Sequence, residues 1–168
     1  MTVFMANIAV IVGSIRSDRQ GIKVARWIEK NLLNRNHTVF FIDPLELKLP
    51  LLDRMYKEMS HPSEVLQTLR NQIKEADGYL PITPEYNRST SSAMKNTLDY
   101  FLEEYYFKPF AIISYSPGSF GGINASDQLR LVFTKLGVSL FHLNSQSLVS
   151  TQYLIMTETY SMNCMINE

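Results

Sequence analysis

Cysteine is almost missing from this 168-residue chain: Cys164 is the only one, so no internal disulfide and no multi-cysteine zinc or iron–sulfur site can form. A reducing cytoplasm is the expected setting. Neither sign of charge is in excess, with 16 Lys plus Arg against 16 Asp plus Glu. The chain therefore lacks the field that gathers nucleic acid or an anionic membrane. No stretch approaches the ~20 apolar residues that cross a bilayer as a helix. The apolar opening is followed by Arg16 and Arg19, whereas a signal peptide carries its positive charge first. A soluble protein is expected, with neither nucleic acid nor membrane as partner. His37, His61 and His142 are scattered without ligand spacing, which argues against a metal site. There is no internal repeat and no low-complexity segment, and 45% hydrophobic composition supplies the core of one domain.

What the chain does have is alternation. Ile8 to Val12 is short, unbroken and rich in β-branched residues, as a strand covered on both faces reads, and Phe4 to Val12 is taken as that strand. Ile22, Val24, Ala25, Ile28, Leu32 and Leu33 then recur at helical spacing. Thr38 to Ile42 is a second strand, stopped by Asp43-Pro44, and an ordered connection runs to Pro62. Ser63-Glu64 suits a helix start, with Val65, Leu66, Leu69, Ile73 and Ala76 as its stripe. Tyr79 to Thr83 reads as a third strand, although Pro81 removes a ladder donor from a central position. A helix over Ala93 to Glu104, a strand over Phe110 to Ser114, a helix over Asp127 to Leu136 closed by Gly137, and a strand over Val138 to Leu143 complete the pattern. Strands alternating with helices predict an α/β domain with a doubly wound, five-stranded parallel sheet.

In such sheets ligands bind beyond the carboxyl ends of the strands, which selects three loops. Gly13 to Gly21 puts hydroxyls and Arg16 before a helix N-terminus, suited to a phosphate; an ordinary turn capped by Ser17 or Asp18 is equally open. It is neither a Gly-x-Gly-x-x-Gly nor a Walker A sequence. Pro84 to Ser89 sets a carboxylate, a ring and a carboxamide at the sheet edge, where a flat, polar-edged ligand can lie. Alternatively Pro84 stiffens a turn, Tyr86 covers the core, Asn87 caps the next helix and Glu85 is solvated. Ser116 to Gly122 holds Gly118, Gly121 and Gly122, so backbone donors can approach a planar heterocycle, or simply form a turn.

Three pieces in order carry a more specific resemblance: Gly13-Ser14-Ile15-Arg16; Thr83-Pro84-Glu85-Tyr86-Asn87 with Lys95-Asn96-Thr97-Leu98-Asp99-Tyr100; and Gly121-Gly122 with Gln128-Leu129-Arg130. Over about residues 6 to 145 the chain resembles the NADPH-dependent FMN reductase family, which includes bacterial quinone, chromate and azo-dye reductases. The resemblance implies a flavodoxin-like sheet of order 2-1-3-4-5 within a domain over 1–156, noncovalent FMN, NADPH as reductant, and homodimers or tetramers. It implies that Ser14, Arg16, Gln20, Gly21 and Ile22 hold the ribityl phosphate. Pro84, Glu85, Tyr86 and Asn87 would border the isoalloxazine ring, and Ser116, Gly118, Gly121 and Gly122 would complete its pocket.

The expected activity is hydride transfer from NAD(P)H through FMN to a small acceptor such as a quinone, an azo compound or free flavin. The flavin performs that chemistry, so no side chain need be catalytic. Departures from the family are Arg88 after Asn87, Ser91 or Ser92 where a proline is common, Asn124 where an arginine usually follows Gly-Gly, and a polar tail over 157–168. They keep a flavin-free family member in view as a rival. A flavodoxin-type electron carrier is a second, though such carriers are strongly acidic and this chain is balanced. Tyr100, Phe101, Tyr105, Tyr106 and Phe107 exceed what one helix face buries, which places Tyr105 or Tyr106 near the expected dimer interface.

Overall fold

The computed structural model describes residues 5–136. Its sheet contains β1 (Asn7–Val12), β2 (Thr38–Ile42), β3 (Gly78–Pro84) and β4 (Ile113–Tyr115), all parallel in the order β2-β1-β3-β4. The expected fifth strand over Val138 to Leu143, the closure at Gly137 and the tail over 157–168 lie outside the described residues. β1 explains its own apolar run: Ala9 and Ile11 enter the core on one face, Val10 and Val12 the core on the other, and none is exposed. α1 (Gly21–Asn34) covers the second face through Ala25 and Ile28. α3 (Glu64–Glu75), α4 (Ser92–Asp99) and α5 (Ile123–Lys135) contribute to the first face. Among the described residues no helix is long and apolar enough to cross a membrane.

Pro81 does sit in the central strand, and its place explains why it is tolerated. Tyr79 donates to Pro109 O at 3.0 Å and accepts from Ala111 N at 2.9 Å, so its polar groups face β4. Two residues on, the missing donor of Pro81 faces the same way. The β3–β4 pairing is interrupted there, between an isolated Tyr79–Phe110 bridge and the ladder that begins at Ile82–Ile113. The predicted strand over Phe110 to Ser114 is accordingly shortened and shifted to Ile113–Tyr115.

Two helix boundaries differ from expectation. The helix predicted over Ala93 to Glu104 ends at Asp99, and a separate 3-10 turn covers Glu103–Tyr105. The connection after β2, which contains the single turn α2 (Pro44–Leu47) and a 3-10 turn at Tyr56–Glu58, docks against the end of α4. Tyr56 N donates to Tyr100 O at 2.8 Å, Tyr100 Oη donates to Pro50 O at 2.8 Å, and Asn96 bonds to both Leu52 and Pro50. These bonds take Tyr100 out of the helix and let Phe101 and Tyr105 enter the core. α5 begins at Ile123, four residues before the predicted Asp127, because Gly122 at φ 83° turns the chain and Glu85 caps the first turn, as described below.

Candidate functional site

The three ligand-facing loops meet at one sheet edge because close backbone approach is possible there. At Gly13 a Cβ would fall 2.6 Å from Ile82 O, while Gly13 N donates to that same oxygen at 2.8 Å. No side chain fits between β1 and β3 at this point, so the loop after β1 leaves flush against β3. Ser91, buried, donates to Gly13 O and accepts from Met94 N at 3.1 Å. It therefore both caps α4 and ties α4 to the first loop. Ser91, not Asn87, is the cap of the next helix, and its hydroxyl accounts for one departure from the family pattern.

The first loop is held from below. Arg19 sends a bidentate pair of hydrogen bonds to Asp43, both at 2.6 Å, and a third to Ser14 O at 2.9 Å; its side chain is 10% exposed and that of Asp43 only 1%. Asp43 also accepts from Leu45 N at the start of α2. Arg16 is the exposed one, 62% accessible and paired with Asp18 at 3.1 Å. Neither Ser17 nor Asp18 caps α1. Its N-cap is Gln20, with no capping side chain and no acidic residue in the first turn. The N–H groups and dipole of a 14-residue helix thus open onto the loop without a side chain neutralising them.

The second loop bridges the other two. Tyr86 Oη lies 2.9 Å from Ser14 Oγ, so Tyr86 spans to the first loop instead of covering the core. Glu85 is not solvated: Oε2 accepts from Asn124 N at 3.0 Å and Ala125 N at 3.3 Å, and Oε1 accepts from Asn124 Nδ2 at 3.1 Å. A second clasp joins Ser89 Oγ to Gln128 Oε1 at 2.7 Å. Asn124 therefore fastens the second loop to α5, which no charge count in the sequence suggests.

Between the second and third loops lies a cleft of about 390 Å³, lined by Glu85, Arg88, Ser116, Gly118, Phe120, Ile123 and Asn124. Gly118 opens onto it: a Cβ there would meet only Ser116 Oγ, at 3.7 Å. The amides of Ser119 and Phe120 have no partner among the described residues. Gly122, by contrast, is buried against the backbone of Tyr115, where a Cβ would be 3.0 Å from its N and O. It shapes the turn from beneath.

Sequence reasoning passed over Tyr115. Its ring packs on Gly21, whose Cβ would fall 2.5 Å from the hydroxyl, so it stands beside the N-terminus of α1. Burial pushes this phenol up to about 12, and it is a neutral hydroxyl able to donate at ordinary pH. Its position between the predicted strand, which ends at Ser114, and the loop that begins at Ser116 was the available signal. Among the described residues, no group of His, Cys, Asp and Glu could hold a metal ion.

The fit to FMN rests on two of these features: an uncapped helix N-terminus suits a phosphate monoester, and a half-apolar cleft rimmed by free amides suits a flat ring with polar edges. The family model for NADPH-dependent FMN reductases matches residues 6–153. The chain belongs to the NADPH-dependent FMN reductase family. It is 36% identical over 134 residues to an NAD(P)H-dependent FMN reductase of a Nectria species, covering 74% of this chain and 66% of that protein. It is 33% identical over 141 residues to a quinone reductase of Pseudomonas putida, covering 76% and 70%. The solved structure of FerB, a flavoenzyme NAD(P)H:acceptor oxidoreductase from Paracoccus denitrificans, has the same fold, with TM-score 0.69 and 22% identity over 94% of this chain and 97% of that one. As a family member the chain is an FMN-dependent oxidoreductase that draws on NAD(P)H.

Proposed function

We propose that this chain passes a hydride from NAD(P)H to a small acceptor, a quinone first among them, with azo compounds and free flavin as further acceptors. The observation that carries this is the hydrogen-bonded continuity of the three loops: Ser14 to Tyr86, and Glu85 to Asn124, join the α1 N-terminus to the cleft. Bound FMN supplies the hydride chemistry. The residues supply its seat. Ser14, Gln20, Gly21 and Ile22 present donors at the start of α1, and Arg16, free to swing from Asp18, adds a charge-assisted bond to the phosphate. Pro84, Glu85, Tyr86 and Asn87 border the ring on one side, and Ser116, Gly118, Gly121 and Gly122 carry the chain around the other. Backbone amides of the turn after β4, those of Ser119 and Phe120 among them, would supply donors to the negative charge that reduction places on the ring. In net terms a quinone gains one hydride from NAD(P)H and one proton from solvent and leaves as hydroquinone.

The test is a spectrum. The protein is expected to purify yellow, to release FMN on denaturation, and to lose its flavin absorbance when NADPH is added without oxygen. A colourless protein that takes up no added FMN would overturn the reading.

We further infer a homodimer, in the cytoplasm, that buries the aromatic segment after α4. Tyr105 is removed from that role, since it is wholly buried in its own chain, 5.3 Å edge-on to Tyr79. What remains outside is Phe107, 83% exposed at φ 62° and packed edge-on against Tyr106. Such a ring held in a strained backbone is an anchor for an apolar partner surface. Sedimentation across a concentration series should show a dimer at micromolar concentration that Phe107→Asp splits. A monomer at every concentration with full reductase activity would rule the dimer out.

A further inference from the structure

Arg88, one of the residues that line the cleft, lies in a two-residue turn, and it is an unexpected residue there. Tyr86 N donates to Ser89 O at 2.9 Å and Ser89 N to Tyr86 O at 3.0 Å, so Asn87 and Arg88 occupy the two central positions. Both are left-handed, at φ 49° and 61°. Turns of this kind take Asn readily at the first position and Gly at the second, because a Cβ is disfavoured there. Arginine stands where glycine would be relaxed. An outlier of this kind, held by the surrounding bonds, points from strain toward function.

Charge at the cleft shows what the residue is for. Two ionised side chains line it, Glu85 and Arg88. The carboxylate of Glu85 is already engaged by three donors at the first turn of α5. The guanidinium of Arg88 has no hydrogen-bond or ion-pair partner among the described residues, and the rest of the lining offers it no second anion. Phe120, 82% exposed, and Ile123, 54% exposed, give the same cleft an apolar wall. A flat apolar body bearing a negative group would satisfy both parts at once.

Resting on the proposed reductase function, we propose that Arg88 makes the cleft selective for acceptors that carry a negative charge, such as quinones with a sulfonate, carboxylate or ionised hydroxyl. In the FMN-loaded enzyme the acceptor shares this cleft with the flavin ring, its acidic substituent on Arg88 and its own ring against the exposed Phe120 and Ile123.

The test compares 1,4-naphthoquinone with its 2-sulfonate as acceptors of the FMN-loaded enzyme, NADPH being fixed. Arg88→Gly is the decisive variant, since glycine suits the turn and folding is not put at risk. The ratio of kcat/KM for the sulfonate to kcat/KM for the neutral quinone is expected to fall about tenfold, the worth of one charge-assisted hydrogen bond, and to do so through KM. Arg88→Lys should keep most of it. Added salt should weaken sulfonate reduction in the parent and Arg88→Lys but not in Arg88→Gly. As a readout apart from turnover, redox-inert naphthalene-2-sulfonate should perturb the flavin absorbance of the oxidised parent at lower concentration than that of Arg88→Gly. A ratio that moves by less than about twofold would overturn this assignment. So would a change confined to NADPH against NADH. If both proteins take up FMN and bleach with NADPH, only the Arg88 assignment has failed; a protein that takes up no FMN would sink it together with the reductase reading.

Discussion

Arg19→Ala is expected to cost about 3–5 kcal/mol of folding stability, the usual result of stranding one partner of a buried ion pair. Loss of the guanidinium leaves the Asp43 carboxylate, 1% exposed, with only the Leu45 amide as a donor among the described residues, and frees the Ser14 carbonyl that fixes the first loop. For a domain of this size the melting temperature should drop on the order of 10 °C. FMN uptake should fall with it, because the loop proposed to cradle the phosphate is no longer anchored. Arg16→Ala is the contrast. Its side chain meets only Asp18 at the surface, so the melting temperature should hold while FMN affinity falls several-fold. The double variant Arg19→Ala, Asp43→Ala should be less damaged than the sum of its parts, since no lone charge remains. An Arg19→Ala protein melting within about 2 °C of the parent would show that the pair does not hold the loop.

Sequence does not tell the two arginines of the first loop apart. Arg16 belongs to the motif and is the exposed one, as a phosphate ligand can be. Arg19 stands in the same polar loop, yet only 10% of its side chain is exposed, because it pairs with Asp43, 24 residues away and just after β2. Periodicity reports only which face of an element is apolar; it is blind to a side chain that reaches across to the next strand. That is why β2, β3 and α3 were legible to within about a residue, while α4 and α5 were not. The ends of those two helices are set by Tyr56, Pro50 and Glu85, which lie far off in the chain.

The site divides in the same way. Its three loops followed from strand order and a short motif resemblance, since both are local. The role of Glu85 did not. A carboxylate after a proline at a strand end is as readily a ring neighbour or a solvated charge as a helix cap. Only the fold places the start of α5 over it. Tyr115 and Ser91 were missed for a related reason: each acts through a glycine, Gly21 or Gly13, whose missing side chain makes room that a linear reading does not see.

Glu85→Ala tests that clasp. The carboxylate accepts two backbone donors at the first turn of α5 and one from the Asn124 amide, and charged acceptors of this kind contribute more than neutral ones. Removing it leaves Asn124 N and Ala125 N uncapped on a helix whose N-cap, Gly122, offers no side chain. The expected loss is about 2–3 kcal/mol of stability. The effect on the cofactor should be separate and larger than the effect on melting suggests. With the second loop then tied to α5, among the described residues, only by Ser89 and Gln128, both walls of the proposed ring site must be ordered on binding, and FMN affinity should fall roughly 10- to 100-fold. Glu85→Gln divides geometry from charge. Its Oε1 can still accept from the two α5 amides, and Asn124 can turn its own amide to offer oxygen to the new NH2 group. This variant should therefore lose less than about 1 kcal/mol and keep most of the FMN affinity. Equilibrium flavin titration, with thermal melting on the same samples, makes the comparison. If Glu85→Ala binds FMN as tightly as the parent, the clasp does not serve the cofactor site; if Glu85→Gln fails as badly as Glu85→Ala, the negative charge itself and not the shape of the cap is what α5 needs.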